Sequence, residues 1–222
     1  KSQVTLFIIL GVLILIVFGI IAYLNTTDEG NEFEKQVEVP EEIKPVKTFY
    51  DSCVEQVAKE GILELSLQAG YYELPYFVFD SEFGEVPYYY YFGENIMEGT
   101  DSFERQLKMY MDDNLRNCLG NFSAVKGFNV TMEEVDSGVK VENNRVIINF
   151  EQEADVKRES SNYDLEFPTY PIKADIKDMY TASERIVSAT MKSPKNINIS
   201  LIFELMDRYG FQIDTMANED ER

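Results

Sequence analysis

The feature that most constrains this chain is an uncharged apolar run near its start. Residues 4–24 contain no Asp, Glu, Lys or Arg and consist mainly of Leu, Ile, Val and Phe. As a helix rising about 1.5 Å per residue, this run would span about 31 Å, which matches the hydrocarbon core of a bilayer. A cleaved secretory signal normally has a shorter apolar region and a small-residue cleavage site. Asn25 and Thr26 follow instead, so we expect residues 1–24 to form a retained hydrophobic anchor helix.

The charges that flank this run predict the side of the membrane on which the rest of the chain folds. Lys1 and the terminal amine precede the run, whereas residues 28–42 carry seven acidic side chains against Lys35 alone. Because positively charged flanks remain in the cytoplasm, we expect the remainder of the chain to lie outside the cell.

An acidic linker is predicted between the anchor and the folded part of the chain. Residues 25–45 are polar and acidic, and Pro40 and Pro45 stiffen their second half. A strand around residues 37–39 is the alternative. The following residues 46–222 are numerous enough to bury a core, and we expect them to form an extracellular α+β domain.

Charge excludes several classes of partner. The chain carries 40 acidic and 20 basic side chains, for a net charge of −20. Nucleic acid is not expected to bind, because phosphate contacts need a basic patch. Anionic lipid is disfavoured for the same reason. The expected partners are the membrane, through residues 4–24, identical subunits in an oligomer or filament, and glycans.

The residue types needed for common catalytic sites are missing from the sequence. The chain has no His, which removes the commonest general base and the Ser-His and Cys-His arrangements. Two cysteines are too few for a typical zinc site, and the chain has no glycine-rich phosphate loop. We therefore predict a non-enzymatic protein without a catalytic site, cofactor or metal.

Neighbouring carboxylates are the remaining candidates for a catalytic or metal site. Glu151 and Glu153 would share a face of a strand, as a glycosidase pair could, and Glu133, Glu134 and Asp136 could bind calcium. With 40 acidic residues, such neighbours arise by chance. A solvated acidic surface is the favoured interpretation.

Two cysteines and four glycan acceptor motifs agree with an extracellular location. Outside the cytoplasm, Cys53 and Cys118 are expected to form a disulfide, with two buried thiols as the alternative. The candidate glycosylation sites, each followed by the Asn-X-Ser/Thr pattern, are Asn25, Asn121, Asn129 and Asn198.

Apolar residues at three- and four-residue steps predict four helices after the linker. The first two cover residues 46–69 and 101–119, and they carry Cys53 and Cys118 on their apolar faces. A disulfide would therefore link them as a pair. Asp101 and Glu104 form a candidate capping box. The other two helices cover residues 176–191 and 199–209, and glycines are expected to end the first and the last helix at Gly70 and Gly210.

Alternating patterns predict an antiparallel sheet between the second and third helices. Asn143 and Asn144 are expected to form a tight hairpin turn, because Asn tolerates positive φ. Pro168 and Pro171 indicate an edge or a break. The expected strands cover residues 128–132, 138–142, 145–155, 163–167 and 169–174, and residues 211–216 are a candidate last strand.

An aromatic segment is the sharpest positive feature of the sequence. From residue 71 to residue 92, eleven of 22 residues are Tyr or Phe, and Gly84 and Pro87 predict short strands joined by a turn. Exposed Tyr clusters often mark interfaces or sugar-binding surfaces, whereas the alternative is that these rings fill the core. Alternation along a strand places Tyr88 and Tyr90 inside and Tyr89 and Tyr91 outside. The candidate interface residues are Tyr88, Tyr89, Tyr90, Tyr91 and Phe92.

The start of the chain resembles a known class of surface protein. The residues Lys1-Ser2-Gln3-Val4-Thr5-Leu6-Phe7 are similar to archaeal type IV pilin-like signal sequences, in which a short basic stretch precedes an apolar helix. The pilin Glu near the fifth residue is missing here. Residues 1–215 resemble uncharacterised membrane-anchored proteins of small-genome archaea, which imply no activity. That resemblance lies in Ser52-Cys53-Val54, Ala58-Lys59-Glu60-Gly61, Leu67-Gln68-Ala69-Gly70-Tyr71 and Asn114-Leu115-Arg116-Asn117-Cys118-Leu119.

These patterns together predict a cell-surface structural protein of the α+β class. The favoured function is a pilin-like filament subunit, in which the apolar helix is either a transmembrane segment or part of a filament core. The alternative is a monomeric, single-pass membrane-anchored ectodomain that binds a ligand, a glycan or another cell.

Overall fold

A computed structural model describes residues 39–81 and 84–213 of the 222-residue chain. The predicted anchor, most of the predicted linker and the glycan candidate Asn25 lie outside these residues. Within them, no helix is both long enough and apolar enough to span a membrane. The described residues form an α+β structure with antiparallel sheets.

Four α-helices lie in the described residues: α1 Lys44–Leu67, α2 Thr100–Leu119, α3 Ile176–Lys192 and α4 Ile199–Tyr209. All four predicted helices are confirmed, with small shifts at their ends. Past the end of α1, Gly70 has a φ of 87° and its N–H bonds the Leu65 carbonyl at 2.6 Å. Gly210 ends α4 with a φ of 69°, a left-handed conformation that glycine adopts without steric cost.

Ten short strands and a 3-10 helix, Gly120–Phe122, complete the described elements. β1 Val78–Ser81 pairs with β2 Gly84–Pro87, and β3 Tyr90–Tyr91 pairs with β4 Glu94–Asn95. Two three-stranded sheets have the orders β10–β7–β6 and β5–β8–β9. Their strands are β5 Asn129–Met132, β6 Ser137–Glu142, β7 Arg145–Phe150, β8 Glu153–Arg158, β9 Ser161–Glu166 and β10 Tyr170–Lys173.

The disulfide between α1 and α2 is confirmed. Cys53 and Cys118 are bonded, with their Cα atoms 5.8 Å apart and 65 positions apart in sequence. Close approach of the two helices also depends on Gly61. A Cβ at this position would lie 2.5 Å from Cδ1 of Tyr110, so only glycine fits without displacing that ring.

The core lies between the α1–α2 pair and the sheets, and carboxylates on α2 bind sheet backbone at its margin. Glu104 accepts a hydrogen bond from the Val141 N–H at 2.8 Å. Asp112 accepts one from the Ser137 N–H at 2.8 Å. Fully buried side chains of this core include Val46, Tyr50, Val54, Leu65, Leu107, Met111, Leu115, Val146, Ile148 and Leu165.

The predicted strand at residues 145–155 is wrong, because the chain changes sheets within it. β7 ends at Phe150 and β8 begins at Glu153. β7 buries Val146, Ile148 and Phe150, whereas β8 buries Ala154 and Val156 in the other sheet. The alternation of apolar and polar residues keeps the same phase on either side of Glu151 and Gln152, so the sequence gives no signal of the break between the two strands. The single sheet predicted over residues 128–174 is accordingly two separate three-stranded antiparallel sheets.

Other local predictions had mixed outcomes. The Asn143–Asn144 turn joins β6 to β7 and Asn144 has a φ of 57°, as expected. Pro171 lies on the edge strand β10, also as expected. The capping box on α2 is wrong, because Gly99 is the N-cap and Glu104 bonds β6 instead. Residues 211–213 form no strand, and residues 214–216 lie outside the described part.

Candidate aromatic interaction surface

The two small hairpins between α1 and α2 carry most of the aromatic segment. In β1–β2, Phe79 lies opposite Val86, and in β3–β4, Tyr91 lies opposite Glu94. The hairpins are joined by backbone, since the Tyr88 N–H donates to the carbonyl of Phe77 at 3.3 Å. They therefore present their side chains from one continuous piece of chain.

Six rings form a connected group across the two hairpins, with Tyr91 at its centre. The Tyr91 ring stacks on Phe77 with centroids 4.6 Å apart, meets Phe92 edge-on at 4.6 Å and lies 5.3 Å from Tyr88. The Tyr76 ring meets the Phe77 ring edge-on, with their centroids 5.1 Å apart. We call this group the aromatic surface, and its members are Tyr76, Phe77, Phe79, Tyr88, Tyr91 and Phe92.

Much of the aromatic surface is open to solvent. Tyr76 is 91% exposed, Phe92 is 87% exposed and Phe77 is 44% exposed. Apolar residues scattered singly on a surface need no explanation, whereas rings that contact one another and remain exposed indicate an interaction site. Their mutual stacking also fixes the rings in position, which lowers the entropy lost on binding a partner.

The most exposed Phe is held in a backbone conformation that disfavours it. Phe92 and Gly93 form the two-residue loop between β3 and β4, with φ values of 48° and 90°. Positive φ at both positions is characteristic of a type I′ turn, which favours Asn, Asp or Gly. A bulky residue in this region costs on the order of 1 kcal/mol. Strain of this kind clusters at functional sites, which makes Phe92 a candidate interaction residue.

The five predicted interface residues separate into two groups. Tyr88, Tyr91 and Phe92 belong to the aromatic surface, whereas Tyr89 and Tyr90 do not. Tyr89 turns toward α1, and its hydroxyl donates to the Ala69 carbonyl at 2.7 Å. The predicted alternation is therefore wrong at two positions, because Tyr88 is exposed and Tyr89 is largely covered.

Tyr89 lines a small cavity that also receives Tyr180 from α3. The cavity holds about 180 Å³ and is lined by Gly70 and Phe103 among others. Burial raises the pKa of Tyr89 to about 12 and that of Tyr180 still further. A Cβ at Gly70 would collide with the Tyr180 hydroxyl, so the cavity wall requires glycine here. Both tyrosines remain neutral at physiological pH and line this cavity together with Phe103.

Sequence reasoning missed three members of the aromatic surface. Tyr76, Phe77 and Phe79 were counted within the aromatic segment but were not named as interface residues. Pro75 just before Tyr76 was the available signal, because it interrupts regular pairing and exposes the following side chains.

The chain segment that carries the aromatic surface contains acidic residues and no basic one. No Lys or Arg occurs between Lys59 and Arg105, a stretch that contains both hairpins. Glu98 is the one acidic side chain of residues 73–98, within the described part, that forms an ion pair, with Arg105 at 3.1 Å. The other exposed carboxylates described in this segment are Glu73, Asp80, Glu85 and Glu94.

The remaining candidate residues lie elsewhere on the molecule. Asn121, Asn129 and Asn198 are all exposed, and Asn198 also caps α4 by accepting from the Leu201 N–H at 3.1 Å. In the calcium candidate, Glu134 pairs with Arg116 at 2.5 Å and Asp136 pairs with Lys108. Residues 39–81 and 84–213 contain no group of three or more potential metal ligands.

Comparison of the chain with protein-family models, with characterised proteins and with solved structures finds no match. No relative therefore supplies a residue role or an activity. Function is inferred from the geometry and charge of this chain alone.

Proposed function

We propose that this protein is a non-enzymatic, membrane-anchored cell-surface protein that contacts its partners through the aromatic surface. The observation that carries this proposal is Phe92, which is 87% exposed and sits at a φ of 48°. Neither solvation nor the turn favours a Phe at this position, whereas display of a ring to a partner accounts for both features.

The proposed location rests on the sequence together with the disulfide. The apolar run at residues 4–24 is long enough to anchor the chain, and the acidic flank favours an outward domain. A disulfide between Cys53 and Cys118 is typical of an oxidising compartment outside the cytoplasm.

A pilin-like filament subunit is the second candidate function, supported by the resemblance at the start of the chain. A separate exposed apolar group near α4 favours it, since lateral contacts between subunits need such faces. Ile199 is 60% exposed and Phe203 is 65% exposed on α4, and Ile197 just before the helix is 69% exposed. In this function, residues 4–24 would pack together in the core of the filament.

Localisation is tested on intact cells that produce the full chain. Protease added outside the cells should remove the domain while the anchor remains in the membrane fraction. Permeabilised cells serve as the control for protease access. If the domain is degraded only after permeabilisation, the proposed location is wrong.

The contact role is tested with the full chain in neutral-detergent micelles against a panel of probes. The panel contains neutral oligosaccharides, anionic oligosaccharides, basic peptides and the solubilised chain itself. The variant Tyr76→Ser with Phe92→Ser should lose whatever saturable binding the wild type has. The matched control, Ile199→Ser with Phe203→Ser, removes exposed apolar side chains from α4 and should keep it.

Two other outcomes separate the candidates. Loss of self-association in the α4 variant, with ordered fibres of the wild type seen by electron microscopy after detergent removal, would favour the filament function. If the hairpin variant binds every probe as the wild type does, the aromatic surface is not the contact site.

A further inference from the structure

We infer that the aromatic surface binds a cationic peptide segment, rich in Arg or Lys, of a partner protein. This inference rests on the proposed function, because it names the partner class of the same surface. It follows from the rings, from the charge around them and from the position of one carboxylate beside the central ring.

The charge of the surrounding chain selects a cationic partner. Residues 60–104 contain ten acidic side chains and no basic one, which is half of the net charge of the whole chain in about a fifth of its length. A surface lined by one sign of charge raises the local concentration of oppositely charged ligands and speeds their association. Anionic saccharides, nucleic acid and anionic lipid are repelled by the same field.

Glu94 places a carboxylate beside the central ring of the aromatic surface. It lies directly opposite Tyr91 in the β3–β4 register, so both side chains project from the same face of the hairpin. Glu94 is exposed, and it forms no ion pair with any residue of the described part. A guanidinium or ammonium group over the Tyr91 ring could therefore reach this carboxylate as well.

The neighbouring hairpin carries a charge repulsion that a cation would relieve. Asp80 and Glu85 are direct cross-strand partners in β1–β2. Like charges in this position destabilise a hairpin. Among the described residues neither carboxylate has a basic partner within 4.0 Å. A bound basic segment would supply the missing counter-charge.

Exposed aromatic rings supply the second half of the recognition. A cation over the face of a Tyr or Phe ring is attracted by the ring quadrupole, and Arg also stacks on the ring plane. Tyr76 and Phe92 are the most exposed rings of the surface. A second copy of this chain fits less well, because it would bring another net charge of −20 to an acidic surface.

The test measures binding of a fluorescent peptide of alternating Arg and Gly to the full chain in neutral-detergent micelles. Peptides of the same length that alternate Glu with Gly, or Ser with Gly, are the controls. Saturable binding is expected for the Arg peptide alone. The affinity should fall about tenfold or more between low salt and 0.5 M salt, because the contacts are exposed and screened.

Variants then separate the contributions of charge and ring. Glu94→Gln should weaken binding about threefold, whereas Glu133→Gln, which removes one negative charge from the segment between β5 and β6, should change it less than about twofold. Phe92→Leu keeps an apolar side chain without a π face and should weaken binding about threefold. Thermal unfolding of each variant establishes that it is folded.

The inference is overturned if the Glu peptide binds as well as the Arg peptide, or if Glu94→Gln and Glu133→Gln have equal effects. It is also overturned if neutral oligosaccharides or the chain itself bind the aromatic surface and the Arg peptide does not. That last result would leave the proposed function standing. Unchanged binding of every probe by the Tyr76→Ser and Phe92→Ser variant would instead remove the proposed function.

Discussion

At the residue scale, the turn at Phe92 and Gly93 places a bulky apolar side chain where short polar residues or glycine normally occur. The β6–β7 turn shows the ordinary solution, since Asn144 occupies its position of positive φ at 57°. Phe92 is the first residue of its loop and Asn144 is the second residue of its own, but both are non-glycine residues with a left-handed backbone. The β3–β4 turn therefore carries a local cost in stability that our proposal attributes to display of the Phe92 ring.

Exchanging the residue types of these two turns should have opposite effects on stability. Phe92→Asn is expected to raise the free energy of unfolding by about 0.5–1 kcal/mol, because Asn tolerates a left-handed backbone. Asn144→Phe is the matched control and should lower it by a similar amount. Urea denaturation of the full chain in micelles measures both. A destabilised Phe92→Asn variant would show that the exposed ring serves folding instead.

Tyr50 is a second residue in an unfavourable environment, because its hydroxyl lies in the apolar core. Its side chain is fully buried, its ring stacks on Phe167 at 3.7 Å, and its hydroxyl has no hydrogen-bond partner among the described residues. Tyr50→Phe should therefore raise the free energy of unfolding by about 1 kcal/mol, since an unsatisfied buried polar group is removed. Urea denaturation provides the measurement.

The control for this change is Tyr170→Phe. The Tyr170 hydroxyl donates to Asp51 at 2.7 Å, so its removal should lower the free energy of unfolding by about 1 kcal/mol. If both variants are destabilised equally, the Tyr50 hydroxyl has a bound water or another partner.

Single-residue orientation in the aromatic segment could not be predicted from sequence. The rule of alternation needs a strand of several residues, whereas β3 contains only Tyr90 and Tyr91. Tyr89 lies before that strand, and the Ala69 carbonyl fixes its direction. That contact joins positions 20 apart in sequence, and no local pattern encodes it.

At the scale of elements, α1 and α2 depend on the missing side chain at Gly61. A methyl group there would lie within 3 Å of Tyr110 and Leu107. Gly61→Ala should lower the free energy of unfolding by about 1–3 kcal/mol, although alanine is the better helix former by about 1 kcal/mol. Circular dichroism during thermal unfolding measures the change.

A glycine with open space around it is the appropriate control for Gly61→Ala. Gly99 has no neighbour within 4 Å of its would-be Cβ and an extended backbone, so Gly99→Ala should cost only about 0.5 kcal/mol, from replacing the N-cap glycine of α2. Equal stability of both variants with the wild type would mean that α1 and α2 can separate slightly without loss.

Helices were predicted well because their signals are local. Apolar residues recur with the helical period over 11 to 24 residues in α1–α4, and the glycines at 70 and 210 lie just beyond two of the ends. The predicted capping box was wrong because the Glu104 carboxylate accepts a hydrogen bond from the Val141 N–H on β6 and not from the start of α2. The break between β7 and β8 was not predicted, because apolar residues alternate in the same way through both strands. Only three-dimensional packing assigns the two strands to different sheets.

At the scale of the whole molecule, the disulfide is expected to contribute a large share of stability. Closing a loop of 65 residues contributes about 4 kcal/mol in the chain-entropy account. Cys53→Ser with Cys118→Ser should lower the free energy of unfolding by roughly that amount, as measured by urea denaturation. Reductant should destabilise the wild type similarly and leave the double variant unchanged. Equal stability of oxidised and reduced wild type would contradict this account.

Stability should vary little with pH around neutrality and fall under alkaline conditions. The chain has no His, and both cysteines are bonded, so its side chains contribute little titration between about pH 6 and 9. Burial raises the pKa of Tyr50, Tyr89 and Tyr180. Each therefore contributes stability that is fully present below about pH 10, the unfolded pKa, and is lost as pH rises toward its folded pKa.

Urea midpoints of the full chain between pH 7 and about pH 11.5 test this expectation. The midpoint should be constant to about pH 9 and decline above about pH 10. The midpoint of Tyr50→Phe should decline less steeply, because one of the ionisations that destabilise the fold is removed. A constant midpoint up to about pH 11.5 would mean that the buried hydroxyls ionise as freely as exposed ones.

The class of the molecule, its four helices and its disulfide followed from sequence, whereas the arrangement of its sheets did not. Residues that pair across β10–β7–β6 lie up to about 30 positions apart, and no sequence spacing encodes that order. The sequence predicted an aromatic segment but not which of its rings contact one another. The stacking of Tyr91 on Phe77 and the position of Glu94 opposite Tyr91 depend on the fold and not on composition.

The disulfide also makes the aromatic hairpins part of a covalent ring, because residues 54–117 lie between its two cysteines. A protease that cuts within the exposed stretch around Tyr76 would open the ring without releasing either fragment. The product would migrate as one band on a non-reducing gel and as two after reduction. Both fragments would stay covalently linked through Cys53 and Cys118 until the disulfide is reduced.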